Sequence, residues 1–231
     1  MYYYGFDWTY LLLIVGVIVS GIASAKVSST FNKYSRVRSS AGMTGAEAAQ
    51  RILYSEGITD VAVQHISGSL TDHYDPSSKV VSLSDATYGS TSVAAIGVAA
   101  HECGHVIQHH RGYAPLSIRS ALVPVANVGS KAGVPICILG MFLGMNETLI
   151  NLGILVFSFG VLFQIVTLPV EFDASARALK LVRNLGILDD AETRDTRKVL
   201  KAAAMTYVAS AFASILSLMR LVILFGGRRR D

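Results

Sequence analysis

The sequence is poor in charge and in cysteine for a chain of its length. Charged residues make up only 16% of the 231 residues, whereas hydrophobic residues make up 52% and the mean hydropathy is +0.46. Ordinary soluble domains carry about 25% charged residues, so this composition indicates membrane-spanning segments. The two cysteines, Cys103 and Cys137, form neither a disulfide framework nor a cysteine-based zinc site, and they permit a reducing compartment.

The sequence also lacks a basic segment ahead of its first apolar run, residues 8–25. This absence disfavours a cleaved signal peptide and favours a membrane helix. Aromatic residues typical of a membrane interface stand near its start, namely Tyr2, Tyr3, Tyr4, Trp8 and Tyr10. The basic residues behind the net charge of +4 cluster beside apolar runs, which is typical of topology signals. Nucleic acid is therefore not an expected partner.

Four apolar runs divide the chain into five predicted segments. Lys131 lies within the third segment, the predicted transmembrane hairpin at 119–169. Its side chain either snorkels to the membrane surface or faces a polar cleft, or else the first arm of the hairpin begins as an amphipathic surface helix. The positive-inside rule places the second segment (26–118) and the fourth segment (170–203) in the cytoplasm. The basic tail Arg228–Arg230 opposes that rule, so the last run either spans or lies along the surface. The segments are a transmembrane helix (1–25), a catalytic domain (26–118), a transmembrane hairpin (119–169), a cytoplasmic helical segment (170–203) and a C-terminal transmembrane helix with its tail (204–231).

The polar segment that follows the first apolar run has a mixed α and β pattern. Thr44 and Glu47 form a capping-box signature, which predicts a helix from Thr44 to Glu56. Residues 61–66 and 80–83 read as strands separated by turn residues. The strand around residues 80–84 is the candidate edge for binding a substrate backbone by strand addition. The alternative is a plain structural hairpin.

The motif that carries chemistry is His101-Glu102-Cys103-Gly104-His105, in an otherwise apolar stretch. Histidines four residues apart lie on one helix face, so both imidazoles can reach one metal ion. Glu102 stands beside them, where it can take a proton from a metal-activated water. Cap signals at Ser90–Ser92 and Gly112 predict the ends of this helix. The motif predicts a catalytic zinc site, and the alternative is a buried helix with two hydrogen-bonded histidines.

A catalytic zinc needs a third protein ligand. The metzincin pattern is excluded, because Gln108 and Arg111 occupy the positions where it requires Gly and His. Glu171 is the favoured candidate, since a carboxylate at the cytoplasmic end of a predicted span needs a partner. Asp173 and His73 are the alternatives. Asp173 points to a different helix face and is also a candidate for orienting a ligand histidine.

Two motifs together resemble a known family. Ala-Ala-His101-Glu-Cys-Gly-His105 and the later Leu-Pro-Val-Glu171-Phe-Asp-Ala-Ser, with apolar runs between them, resemble the YugP-type membrane zinc metallopeptidases of bacteria, a neutral zinc metallopeptidase family. The resemblance covers nearly the whole chain and extends more distantly to the HtpX and CAAX-prenyl membrane peptidases. It implies that His101, His105 and Glu171 bind zinc and that Glu102 is the base. Ser175 stands where the distant relatives have Asp, so their orienting role is expected to fall to Asp173.

These observations predict a mainly α membrane protein with about four transmembrane helices and a small α+β zincin-like domain, of the gluzincin type. The expected function is a Zn²⁺-dependent endopeptidase of the bacterial plasma membrane, with its active site at the cytoplasmic face. Its expected partners are the lipid bilayer and a peptide or membrane-protein substrate. His73, Tyr74 and Arg177 are candidate oxyanion donors. The alternatives are a catalytically silent zinc-binding scaffold, which has no need of Glu102, and a small transporter, which leaves the motif unexplained.

Overall fold

The computed structural model describes residues 7–226, so the predicted roles of Tyr2, Tyr3, Tyr4 and Arg228–Arg230 lie outside the described residues. The described chain is mainly helical, as predicted, with six helices and three short strands. In chain order the elements are α1 (Tyr10–Tyr34), α2 (Gly45–Ser55), β1 (Ala62–Ile66), β2 (His73–Asp75), β3 (Val80–Ser84), α3 (Val93–His110), α4 (Ala114–Phe142), α5 (Glu147–Asn184) and α6 (Asp190–Gly226).

The chain divides into two compact units. Residues 7–24, 118–168 and 206–226 form the first, here called the apolar unit. Residues 25–117 and 169–205 form the second, here called the polar unit. The boundaries fall inside α1, α4, α5 and α6, so each of these four helices contributes to both units.

The apolar unit contains segments of α1, α4, α5 and α6, the four helices that are long and apolar enough to cross a membrane. Many of their large apolar side chains are exposed, which suits a lipid environment. Close packing holds α4 against α5, because a Cβ added at Gly129 would lie 2.4 Å from the Val156 carbonyl oxygen. At Gly133 the added atom would lie 2.7 Å from Phe157 Cβ. Small residues thus let the two arms of the predicted hairpin approach closely.

Arg220 interrupts the last apolar run in the sequence. Its guanidinium carbon lies 4.3 Å from the centre of the Tyr10 ring, within cation–π range. This contact brings the end of α6 beside the start of α1 in the apolar unit. The aromatic face gives the arginine a favourable neighbour inside a hydrophobic segment. Lys131 is exposed on the surface of α4.

The polar unit holds a three-stranded sheet with the order β1-β3-β2. β3 pairs in parallel with β1 and antiparallel with β2, so it is the central strand. The expectation that the strand at 80–84 is an edge strand is therefore wrong. The cause is β2, a three-residue strand that the sequence pattern does not predict and that pairs with the second side of β3. The two edges of the sheet are β1 and β2.

Helix α3 packs in the core of the polar unit. It begins as predicted, with the Ser92 hydroxyl accepting a hydrogen bond from the Ala95 backbone N–H, and α2 begins with the predicted Thr44–Glu47 capping box. Gly104 lets α5 approach, since a Cβ there would lie 2.6 Å from the Ala174 carbonyl oxygen. This backbone contact sets the distance between the H-E-x-x-H helix and the stretch of α5 that carries Glu171.

Helix α5 does not end at Pro169, although the sequence predicted a separate helical segment from residue 170. It continues through the proline, which removes one backbone hydrogen bond. Buried residues at four-residue spacing follow immediately, namely Val170, Ala174, Ala178 and Val182. Because this stripe packs in the core of the polar unit, the chain stays helical after Pro169. In the same way, the end of the predicted cytoplasmic segment (170–203) and the last apolar run form one helix, α6.

Candidate metal centre

The two histidines of the motif face the same side of α3, one turn apart. Their ring centres are 4.8 Å apart and their planes are nearly perpendicular, at 84°. Both side chains are largely buried, with 15% and 12% of the side chains of His101 and His105 exposed. The spacing therefore presents two imidazole nitrogens to one point, as the sequence predicted.

Glu171 brings the third donor from α5. Its Oε2 lies 3.3 Å from His101 Nε2 and 3.6 Å from His105 Nε2. Only 2% of its side chain is exposed, so the carboxylate is held out of water beside the two rings. Among the described residues, His101, His105 and Glu171 form a group whose ligand atoms all lie within 4.8 Å of one another.

This donor set fits zinc. Two imidazole nitrogens and one carboxylate oxygen are a known combination at catalytic zinc sites, which leave a fourth position open. Ligands about 2.05 Å from a tetrahedral ion lie about 3.3 Å apart, close to the two nitrogen–oxygen distances found here. A buried carboxylate also needs positive charge nearby, and a divalent cation supplies it. His101, His105 and Glu171 thus form a potential zinc-binding group, and zinc is the expected cofactor.

Hydrogen bonds at the far side of each ring orient the two histidines. His101 Nδ1 lies 3.1 Å from the Ser175 hydroxyl, and His105 Nδ1 lies 3.0 Å from Gln108 Oε1. Because both Nδ1 atoms are engaged, both Nε2 atoms stay available to the metal. Ser175 itself contacts His101, whereas the sequence reading gave that orienting role to Asp173.

Gln108 connects the motif helix to α5 and is fully buried. Its amide nitrogen donates to the Val170 carbonyl oxygen at 2.7 Å and to Asp173 Oδ2 at 2.8 Å. Two acceptors around the nitrogen fix the orientation of the amide, so its oxygen must face His105. His105 Nδ1 is therefore the protonated nitrogen, and its Nε2 carries the free lone pair.

Asp173 and Arg177 complete this network one turn apart on α5. Arg177 Nε donates to Asp173 Oδ2 at 2.5 Å, and its guanidinium lies 5.7 Å from the centre of the Tyr113 ring. Asp173 thus reaches His105 only through Gln108. The guanidinium is engaged with the carboxylate and the ring, and the role of Arg177 as an oxyanion donor stays a prediction.

The remaining predicted residues lie on β2. His73 is exposed, and its Nδ1 lies 2.9 Å from the Thr71 carbonyl oxygen. The Tyr74 hydroxyl lies 3.1 Å from Nδ1 of His109, near the C-terminal end of α3. Neither residue belongs to the metal-binding group found among the described residues. Their proposed role as oxyanion donors stays a prediction.

The electrostatics of the site favour a cation. Burial lowers the pKa of His105, but the nearby carboxylates of Glu171 and Glu102 outweigh burial, so the pKa lies above its ordinary value. Carboxylates therefore dominate the potential at the rings. Burial raises the pKa of the Cys103 thiol, which is completely buried and thus stays protonated at neutral pH. The cysteine of the motif is a packing residue.

The sequence drew attention to Gln108 only because this residue departs from the metzincin pattern. We expect Gln108→Leu to weaken zinc binding about 10–100-fold, because His105 loses the acceptor that orients it. Competition with a chelator of known affinity measures the change, and thermal unfolding of the zinc-free protein reports any general loss of stability. Gln50→Leu, at an exposed position of α2, is the matched control. Unchanged zinc affinity in Gln108→Leu would contradict the orienting role.

This chain is similar in sequence to known proteins over almost its full length. A family described as "Putative neutral zinc metallopeptidase" matches residues 9–226. The chain is also 46% identical over 214 residues to "Putative membrane protease YugP" from Bacillus subtilis (strain 168), and the alignment covers 93% of this chain and 95% of that protein. No solved structure matches the chain. The resemblance that two motifs indicated is thus confirmed along the sequence.

Proposed function

The chain belongs to the neutral zinc metallopeptidase family, and from this membership we propose that it is a membrane-embedded, zinc-dependent endopeptidase. One observation carries the proposal: two histidines of an H-E-x-x-H helix and a distant buried glutamate converge, with their donor atoms within 4.8 Å of one another. Glutamate as the third ligand is the arrangement of gluzincins, and we assign the polar unit to that type.

Glu102 is the proposed general base. It is largely buried, with 8% of the residue exposed, and it has no hydrogen-bond partner within residues 7–226. His101, His105 and Glu171 would hold the zinc ion, which would supply the Lewis acidity that makes water acidic near neutral pH. The Glu102 carboxylate accepts the proton of that water and returns it to the nitrogen of the leaving amine. A carboxylate that is uncommitted in the resting protein is suited to this shuttle.

The substrate backbone is proposed to bind along an edge of the sheet. Strand addition supplies main-chain hydrogen bonds to any peptide, whereas side-chain pockets supply selectivity. Of the two edges, β2 is linked to the motif helix through the contact between Tyr74 and His109. We therefore place the peptide or membrane-protein substrate along β2.

Charge supports a cytoplasmic location for the polar unit. The stretch directly after the apolar part of α1 carries four basic residues, Lys26, Lys33, Arg36 and Arg38, and residues 171–203 carry seven more. The short connection between α4 and α5, residues 143–146, carries none. By the positive-inside rule, we propose that the polar unit lies at the cytoplasmic face of the bacterial plasma membrane and that the bilayer surrounds the apolar unit.

Zinc content and proteolysis of the detergent-purified chain test the proposal. We expect about one zinc per chain, bound by His101, His105 and Glu171, and cleavage of casein or of a peptide library. Removal of the metal with a chelator is expected to stop cleavage, and added zinc to restore it. Zinc-loaded protein that cleaves no substrate in either assay would favour the scaffold hypothesis instead.

A further inference from the structure

A second cavity of the polar unit has no part in the metal centre. It is half-open, has a volume of about 480 Å³ and lies between the C-terminal part of α5 and the first turns of α6. Its size falls in the range of small-molecule sites. Four basic side chains line it: Lys180 and Arg183 from α5, and Arg194 and Arg197 from α6.

The positive charge of this cavity is mostly uncompensated. Arg183 pairs with Asp190, the one acidic residue of the lining, at 2.8 Å. The other three basic side chains have no ion-pair partner among residues 7–226. Arg194 and Arg197 are three residues apart on one face of α6, an arrangement of like charges that destabilises a helix. An anionic ligand would relieve this repulsion.

A buried hydroxyl adds a specific polar contact. Thr193 lines the cavity and is 6% exposed, and its Oγ1 is buried without a hydrogen-bond partner in the described part of the chain. Buried hydroxyls are normally hydrogen-bonded, and an unpaired one destabilises the fold. Basic side chains and a threonine with an unpaired hydroxyl thus line one cavity.

We propose that this cavity binds a phosphate monoester. Such a group carries a charge of about −1.5 to −2 and three acceptor oxygens, which suits three uncompensated cations better than a carboxylate does. Arginine binds phosphate through paired, charge-assisted hydrogen bonds. The Thr193 hydroxyl donates to a further phosphate oxygen. The inference does not depend on the peptidase proposal, since none of the metal-centre residues lines the cavity.

The phosphate monoester can come from two sources that share this chemistry. One is a soluble organic phosphate, and the other is the headgroup of phosphatidic acid in the surrounding bilayer. Glycerol 3-phosphate represents both, because it is soluble and is itself the headgroup portion of phosphatidic acid. Glycerate, which carries a carboxylate in place of the phosphate, is the matched probe for charge.

The test titrates glycerol 3-phosphate into the full chain in nanodiscs of phosphatidylcholine, with calorimetry as the readout. We expect saturable binding, and binding of glycerate weaker by about tenfold or more. If nanodiscs that include phosphatidic acid weaken the apparent affinity for glycerol 3-phosphate, the lipid is the source. If they leave it unchanged, the ligand is soluble. Absence of saturable glycerol 3-phosphate binding, or equal affinity for glycerate, would overturn the proposal.

Two variants locate the binding. Arg194→Gln with Arg197→Gln should weaken glycerol 3-phosphate binding by about tenfold or more, whereas Arg36→Gln with Lys201→Gln removes the same charge from exposed positions and should leave binding unchanged. Equal weakening by both pairs would reduce the effect to net charge and refute the site. Thr193→Val should weaken binding about three- to tenfold without lowering the thermal stability, because its hydroxyl has no partner within the described protein to lose. Unchanged affinity in Thr193→Val would remove the hydroxyl from the site.

Discussion

Glu102→Gln is expected to reduce kcat/KM for peptide cleavage by about 10³-fold or more, while the zinc content stays that of the unaltered protein. Glutamine has nearly the same shape as glutamate, but its amide cannot accept the proton that water must lose. Zinc should remain because Glu102 is outside the His101, His105 and Glu171 group. The same substitution removes no hydrogen bond between described residues, so the fold should be unaffected.

The measurement pairs metal analysis with cleavage of a fluorogenic peptide. Glu147→Gln is the matched control, because it makes the same carboxylate-to-amide change at an exposed position of α5 in the apolar unit. Loss of activity in Glu102→Gln alone would identify the base. Undiminished cleavage by Glu102→Gln would show that another group accepts the proton. If cells that lack the protein show a phenotype and the Glu102→Gln variant rescues it, the result favours the scaffold hypothesis over the peptidase hypothesis.

The local parts of the site could be predicted from the sequence because they depend on neighbours along the chain. The spacing of His101 and His105 dictates a common face as soon as the segment is helical, and the apolar residues around it make it helical. Glu171 could be predicted from its chemistry, because a carboxylate at the end of an apolar run needs a partner. The distance of 3.3 Å from His101 depends on how α3 and α5 pack, which no local pattern encodes.

The roles of Gln108 and Ser175 could not be assigned from the sequence for the same reason. Each contacts a ligand histidine, but Gln108 is defined by acceptors on α5, 62 and 65 residues away in sequence. A glutamine three residues after His105 in an apolar helix was the available signal, since a buried amide needs partners. Ser175 is small and polar, and only the approach of α5 to α3 shows that its hydroxyl reaches His101.

The sheet shows the limit of strand prediction. β1 and β3 have the β-branched residues that mark strands, and both were predicted almost at their observed bounds. β2 has only His73, Tyr74 and Asp75, and it is a strand because β3 offers it hydrogen bonds. Strand order depends on such long-range pairing, so the edge was misassigned. Pro169 shows the same principle for helices, because burial of the α5 stripe outweighs the local break.

Glu171→Gln is expected to lower zinc affinity by more than the roughly 10–100-fold that is typical for loss of an outer partner. A neutral amide oxygen is a poorer zinc ligand than a carboxylate, and the site loses the negative charge that compensates the cation. Asp173→Asn is the informative comparison, because Asp173 was the rival ligand and its carboxylate accepts hydrogen bonds from Gln108 and Arg177. We expect this second variant to keep zinc, with a reduction within the outer-partner range. The affinities follow from competition with a chelator, and metal content and cleavage are read on the same samples. Full zinc retention and activity in Glu171→Gln, with zinc lost in Asp173→Asn, would make Asp173 the third ligand. The Glu171 carboxylate would then not bind the metal, although its oxygen lies 3.3 Å from His101 Nε2 and 3.6 Å from His105 Nε2.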